Sequence, residues 1–220
     1  MLYLFDIDGT LIDTGGAGMA ALKQTTREVF GDDGPDLDLA GATDRGIVEG
    51  ICRHYGVEFT EDAFSNYLAV YHERLADNLG QNAFAGRVMD GVLPLIDHLS
   101  ANAHATLGLL TGNTAQGARI KVRHFGLAEY FPFGAYGCDH ADRNKLGPIA
   151  LQRAEAHAGR SFAANQTWII GDTPKDIACA KAIGARCLAV ATGSFTIEQL
   201  ESHGADLVVA SLDEAIGMMG

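Results

Sequence analysis

Short apolar runs recur along this chain at Leu2–Phe5, Ala105–Leu110, Thr167–Ile170, Arg186–Ala191 and Asp206–Val209. Each is too short for a helix core and leads into Gly, Thr, Asp or Ser, the pattern of strands buried on both faces. Helical patterns follow or separate them at Gly91–Ala101, Ala115–Phe125, Pro148–His157, Pro174–Ile183 and Ile197–His203. Strand alternating with helix predicts an α/β fold, an open parallel sheet with helices on both sides. Ligands of such sheets bind beyond the carboxyl ends of the strands.

The stretch from Gly15 to Ala85 breaks that rhythm. It holds no convincing strand and three helical patterns, at Ala17–Phe30, Asp44–Tyr55 and Glu61–Leu79. A second break, Asn82–Asp90, returns the chain to the α/β pattern. The expected organisation is a helical insert at residues 15–85 between the two parts of one core, residues 1–14 and 86–220.

Acidic and basic residues are unbalanced, 28 Asp and Glu against 16 Lys and Arg, for a net charge of −12. A field of that sign disfavours nucleic acid and anionic membrane as partners. An anionic substrate then needs locally placed cations or a metal. Cys52, Cys138, Cys179 and Cys187 show no C-x-x-C spacing, so reduced thiols are expected. With no basic leader at the start and no long apolar run, the expected setting is cytoplasmic. Oligomeric state is not readable from the pattern.

The chemistry concentrates at four stations beside predicted strand ends. The first is Asp6-Ile7-Asp8-Gly9-Thr10. Side chains alternate along an extended backbone, so Asp6 and Asp8 share a face while Ile7 turns to the core. Two close carboxylates call for a cation between them or a held proton, and oxygen ligands suit Mg2+. Gly9 and Thr10 then turn the chain and offer donors. The second station is Thr111-Gly112-Asn113, a hydroxyl and free amides ahead of a helix that suit a phosphate. The third is Lys145, a cation before a helix. The fourth runs from Gly171-Asp172 to Asp176, an acid at a strand tip and another on the first helical turn.

In that order the four stations resemble the motifs of the haloacid dehalogenase-like superfamily, and the helical insert resembles the group with a small α-helical cap, which includes phosphoglycolate phosphatase-like enzymes. The resemblance implies a Rossmannoid three-layer core with a central parallel sheet, plus the cap. It implies a Mg2+-dependent phosphatase acting on a small phosphorylated metabolite through an aspartyl-phosphate. By the same resemblance Asp6 is the nucleophile and Asp8 the general acid and base. The metal set is Asp6, the Asp8 main-chain carbonyl, Asp172 and Asp176. Thr111, Gly112, Asn113 and Lys145 neutralise the phosphoryl group, and Thr10 joins the substrate contacts. Related phosphatases often read Lys-Pro-x-Pro at the third station, where this chain reads Lys145-Leu146-Gly147-Pro148. Lys145 is the expected cation because Pro148 keeps its offset, with Arg143 as the alternative. Related phosphatases also often carry Arg at the position of Ala42, so the cap contact to the leaving group is expected from Arg45.

Other readings compete. Gly16-Ala17-Gly18-Met19-Ala20-Ala21 fits a loose dinucleotide fingerprint, but it starts too far behind its strand and reads better as a hinge. Cys138-Asp139-His140 fits no zinc spacing. Asp8 argues against true dehalogenation, which typically lacks that second acid, and Lys23 lies too near the hinge for Schiff-base phosphonate chemistry. A phosphomutase and a non-catalytic binding protein of the same fold remain as alternatives.

Overall fold

The computed structural model describes residues 1–219. Strands β1 (Leu2–Phe5), β4 (Thr106–Thr111), β5 (Gly134–Tyr136), β6 (Thr167–Gly171), β7 (Arg186–Val190) and β8 (Leu207–Val209) form one sheet. Its order is β5-β4-β1-β6-β7-β8, and every pairing is parallel. The first strand therefore lies inside the sheet, with Leu2–Phe5 pairing Thr106–Leu109 on one side and Thr167–Ile170 on the other.

Alternation along these strands builds two cores. Tyr3, Phe5, Leu107, Leu109, Trp168 and Ile170 face one way, onto Leu95 and Ile96 of α4 (Val92–Ser100) and Val122 of α5 (Ala115–His124). Leu2, Leu4, Leu110 and Ile169 face the other, onto Leu146 and Ala150 of α6 (Leu146–Ala158) and Ile177 of α7 (Pro174–Ile183). Because each strand is covered on both faces, its run is apolar throughout rather than alternating. Helix α8 (Ile197–Ser202) contributes Leu200 to the second core.

The intervening helices are α1 (Ala17–Phe30), α2 (Asp44–His54) and α3 (Glu61–Leu79). They bury a cluster of their own, including Ala21, Val48, Ile51, Phe64, Tyr67 and Leu75. Thr43 caps α2 and Thr60 caps α3 through their hydroxyls. The chain leaves and rejoins the core through a two-stranded antiparallel ladder, β2 (Ile12–Asp13) against β3 (Arg87–Val88). That ladder and β5 are the elements the sequence pattern does not announce. Both β2 and β3 are two residues long, and β5 is a three-residue edge strand that follows Pro132 and begins with Gly134. No helix among the described residues is long and apolar enough to cross a membrane.

Candidate active site

Asp6 follows β1, its amide bonded to the Ile170 carbonyl at 2.9 Å, so the central strands run in register up to the site. Asp172 follows β6 and Asp176 lies on the first turn of α7. One carboxylate oxygen from each of Asp6, Asp172 and Asp176 lies within 4.8 Å of the others, and all three residues are buried. A single guanidinium enters this acidic group. Arg143 Nη2 stands 3.1 Å from Asp6 Oδ2 and 2.5 Å from Asp176 Oδ1, and it donates to the Leu110 carbonyl at 3.3 Å. Three buried acids facing one cation leave negative charge over, and all the donors are hard oxygens; the set suits a divalent ion such as Mg2+.

Protonation follows from that crowding. Burial, with Asp176 and Asp6 adding to it, pushes Asp172 up to about 8. Burial also pushes Asp6 up, to about 6, with Arg143 pulling it back down. Burial opposes the charge on Arg143, but Asp176 and Asp6 more than offset it and raise its pKa. Asp172 is braced by Thr10, whose hydroxyl donates to Oδ1 at 3.0 Å. Asp176 Oδ2 accepts from the Thr173 amide and hydroxyl at 3.1 and 2.7 Å. Gly9 has φ 79°, and a Cβ there would stand 2.5 Å from Asp172 Oδ2, so only glycine lets the turn pass so close.

Asp8 takes a different environment two residues on. Lys121 Nζ donates to both of its carboxylate oxygens at 2.7 Å and to Asn113 Oδ1 at 2.7 Å. Asn113 Nδ2 adds 2.7 Å to Asp8 Oδ2 and 2.8 Å to Thr111 Oγ1. The Lys121 side chain is 5% exposed and that of Asp8 45%, so a buried ammonium aims a half-open carboxylate.

The helical unit closes over these groups. The Asp44 amide donates to the Gly112 carbonyl at 2.7 Å, and Asp44 Oδ2 accepts from the Thr114 amide at 2.7 Å. Thr43 Oγ1 donates to the Ala141 carbonyl at 2.7 Å, and His72 Nε2 and Thr114 Oγ1 are 2.7 Å apart. A Cβ at Gly112 would stand 1.8 Å from the Ala42 carbonyl oxygen, so glycine is what admits the Gly41–Asp44 loop. The half-open cavity between them measures about 340 Å³.

Asp6, Asp8, Thr111, Gly112, Asn113 and Asp172 all line that cavity. Asp176 lies behind it as a buried member of the carboxylate group. Three expectations need correction. Lys145 is exposed outside the cavity, while Arg143 is buried inside it. The cause is local: Asp142 caps a 3-10 turn by accepting from the Asn144 amide, which sets Arg143 inward and Lys145 outward. Arg45 points away, paired with Glu61 and with Glu49 at 3.5 Å, its guanidinium 5.0 Å from the Phe59 ring. Asp44, the preceding residue on α2, faces in instead. Thr10 is fully buried and donates to Asp172, so it braces that carboxylate and does not face the cavity.

Lys121 is the residue that sequence reasoning missed. A usable signal exists, since it shares the helix face of Gly117, Ala118 and Val122 that α5 buries.

This chain belongs to the haloacid dehalogenase-like hydrolase family, whose model matches residues 3–190. Among its relatives, the phosphoglycolate phosphatase of Rhodospirillum rubrum is 30% identical over 97% of this chain and 90% of that one. The phosphoglycolate phosphatase of Vibrio vulnificus (strain CMCP6) is 25% identical over 99% and 95%. The same fold is seen in CbbY from Rhodobacter sphaeroides in complex with phosphate, with TM-score 0.76 and 20% identity over 97% of this chain and 95% of that one.

Proposed function

We propose that this chain is a Mg2+-dependent phosphatase that hydrolyses a small phosphomonoester through an aspartyl-phosphate on Asp6, with helices α1–α3 (residues 15–85) acting as the cap. One observation carries this reading: two carboxylates two residues apart occupy opposite environments. Asp6 is buried among acids and beside Arg143, whereas Asp8 is half-open and clamped by Lys121 and Asn113. Divergent surroundings assign divergent roles to paired acids.

Asp6 attacks phosphorus in line, and the bond to the ester oxygen breaks. Asp8 delivers its proton to that oxygen as the alcohol leaves. It then takes a proton from the water that attacks the phosphoaspartate, freeing inorganic phosphate and regenerating Asp6. Bound Mg2+ would neutralise phosphoryl charge and keep Asp6 ionised, held by Asp6, Asp172, Asp176 and the Asp8 carbonyl. Thr111, the Gly112 and Asn113 amides and Arg143 face the phosphoryl oxygens. Arg143 Nε, buried without a partner in the protein, is a donor such an anion satisfies. The names of the relatives, phosphoglycolate phosphatases in two cases, support the same class of substrate.

The test is hydrolysis of p-nitrophenyl phosphate with and without Mg2+. Metal-dependent turnover absent from Asp6→Asn is expected; wild-type turnover no greater than that of Asp6→Asn overturns the reading.

A further inference from the structure

The cavity has two chemically distinct walls. The core wall carries its only two cations among the described residues, Lys121 and Arg143. Both are already committed there, and the one donor of Arg143 without a protein partner, Nε, is the one given above to the phosphoryl group. The three donors of Lys121 are spent on the two Asp8 oxygens and on Asn113. Arg143 Nη2 is held by Asp6, Asp176 and the Leu110 carbonyl, and Nη1 reaches the Gly41 carbonyl at 3.4 Å.

The opposite wall comes from the helical unit. Met19 and Leu22 of α1, Leu39 and Ala42 of the following loop, Ile47 of α2 and Tyr71 of α3 line it. No Lys, Arg or His joins them from that unit. His72 is bonded to Thr114, and burial lowers its pKa, so it stays neutral. Arg45 is turned to the outer face against Glu49 and Glu61. The one charged group on this wall is Asp44, a carboxylate.

If the phosphoryl group sits at Asp6, the rest of the substrate meets this second wall. A second anion there would lose its water without gaining a cation, and it would face Asp44. We propose that the alcohol released by this enzyme is uncharged and largely apolar, and that phosphomonoesters bearing a second anionic group are poor substrates. This rests on the phosphatase reading above and narrows it. It also separates this chain from any relative that must hold a carboxylate or a second phosphate under its cap.

The experiment compares kcat/KM for isobutyl phosphate and 2-phosphoglycolate, near-isosteres that differ in a branched alkyl end against a carboxylate. Both are assayed with Mg2+ on wild type, Asp6→Asn, Ala42→Arg and Ile47→Lys. Wild type is expected to prefer isobutyl phosphate by roughly tenfold or more, although glycolate is the better leaving group. A cation placed at either position should shrink or invert that ratio. Equal use of the two esters by wild type, or a preference for phosphoglycolate, overturns the proposal and leaves the phosphatase reading standing. Hydrolysis of neither above the Asp6→Asn level overturns the proposal, and p-nitrophenyl phosphate turnover then decides the phosphatase reading.

Discussion

Lys121 and Asp8 form a two-pronged ion pair, with Nζ 2.7 Å from each carboxylate oxygen. The pair links the helix after β4 to the loop after β1, and Asn113 closes it into a triangle. Lys121→Met should lower kcat with little change in KM. A loss of roughly tenfold to a hundredfold is expected, part of the ~10²–10⁴ that a positioned acid and base supplies. Steady-state kinetics with p-nitrophenyl phosphate decide it; an unchanged kcat refutes a positioning role.

Arg143 and Lys145 should separate cleanly. Arg143→Ala strips the sole cation among the described residues from three buried acids, a change expected to cost roughly 3–5 kcal/mol of stability. Turnover should fall with it, and Arg143→Lys should recover part of both. Lys145→Ala, at an exposed position, should stay within about 0.5 kcal/mol of wild type and keep full activity. Denaturant unfolding and a rate measurement on the three variants would reverse this assignment if Lys145→Ala proved the damaging one.

Metal and pH should be linked through the same acids. Asp172 at about 8 and Asp6 at about 6 both lie above the ordinary 3.8. A carboxyl whose folded pKa is raised binds more protons when folded than when unfolded. Its stabilising contribution is full below the unfolded value and is lost as pH rises through the folded one. Metal-free protein should therefore lose thermal stability from these groups between about pH 4 and pH 8. Mg2+ should raise the melting temperature more at pH 8 than at pH 5, and Asp172→Asn should flatten the difference. Melting curves in EDTA and in excess Mg2+ test this, and an equal Mg2+ shift at both pH values counts against it.

Gly112→Ala probes closure. The added methyl would overlap the Ala42 carbonyl, which backbone holds in place through Asp44 N–H to Gly112. Overpacking of this kind costs roughly 1–3 kcal/mol. A fall in kcat/KM larger than the fall in kcat is expected, because the Gly41–Asp44 loop no longer seats. Wild-type kinetics in Gly112→Ala would show that the contact is dispensable.

Much of this architecture was readable from residue order because it rests on period two. Leu2 and Leu4 feed one core and Tyr3 and Phe5 the other, and the same alternation puts Asp6 and Asp8 beyond Ile7 at the site. Thr43, ahead of the helical pattern at Asp44–Tyr55, likewise starts α2 where it stands. What stayed hidden depends on side-chain direction over short, irregular backbone. The choice between Arg143 and Lys145 turns on one 3-10 turn, and that between Asp44 and Arg45 on a single step around α2. Lys121 was masked by composition. Lysine on a helix is ordinarily solvated, and only its register with Ala118 and Val122 betrays that it is buried.

The interior position of β1 also has a consequence for how the protein comes off the ribosome. Leu2–Phe5 is made well before its partner strands, one of which begins at Thr106 and the other at Thr167. That strand must wait, unpaired, through the synthesis of the whole helical unit. Asp6, just beyond it, gains its carboxylate neighbours Asp172 and Asp176 only once translation has passed Asp176. A truncated or stalled product can therefore carry Asp6 without ever assembling the buried carboxylate group around it.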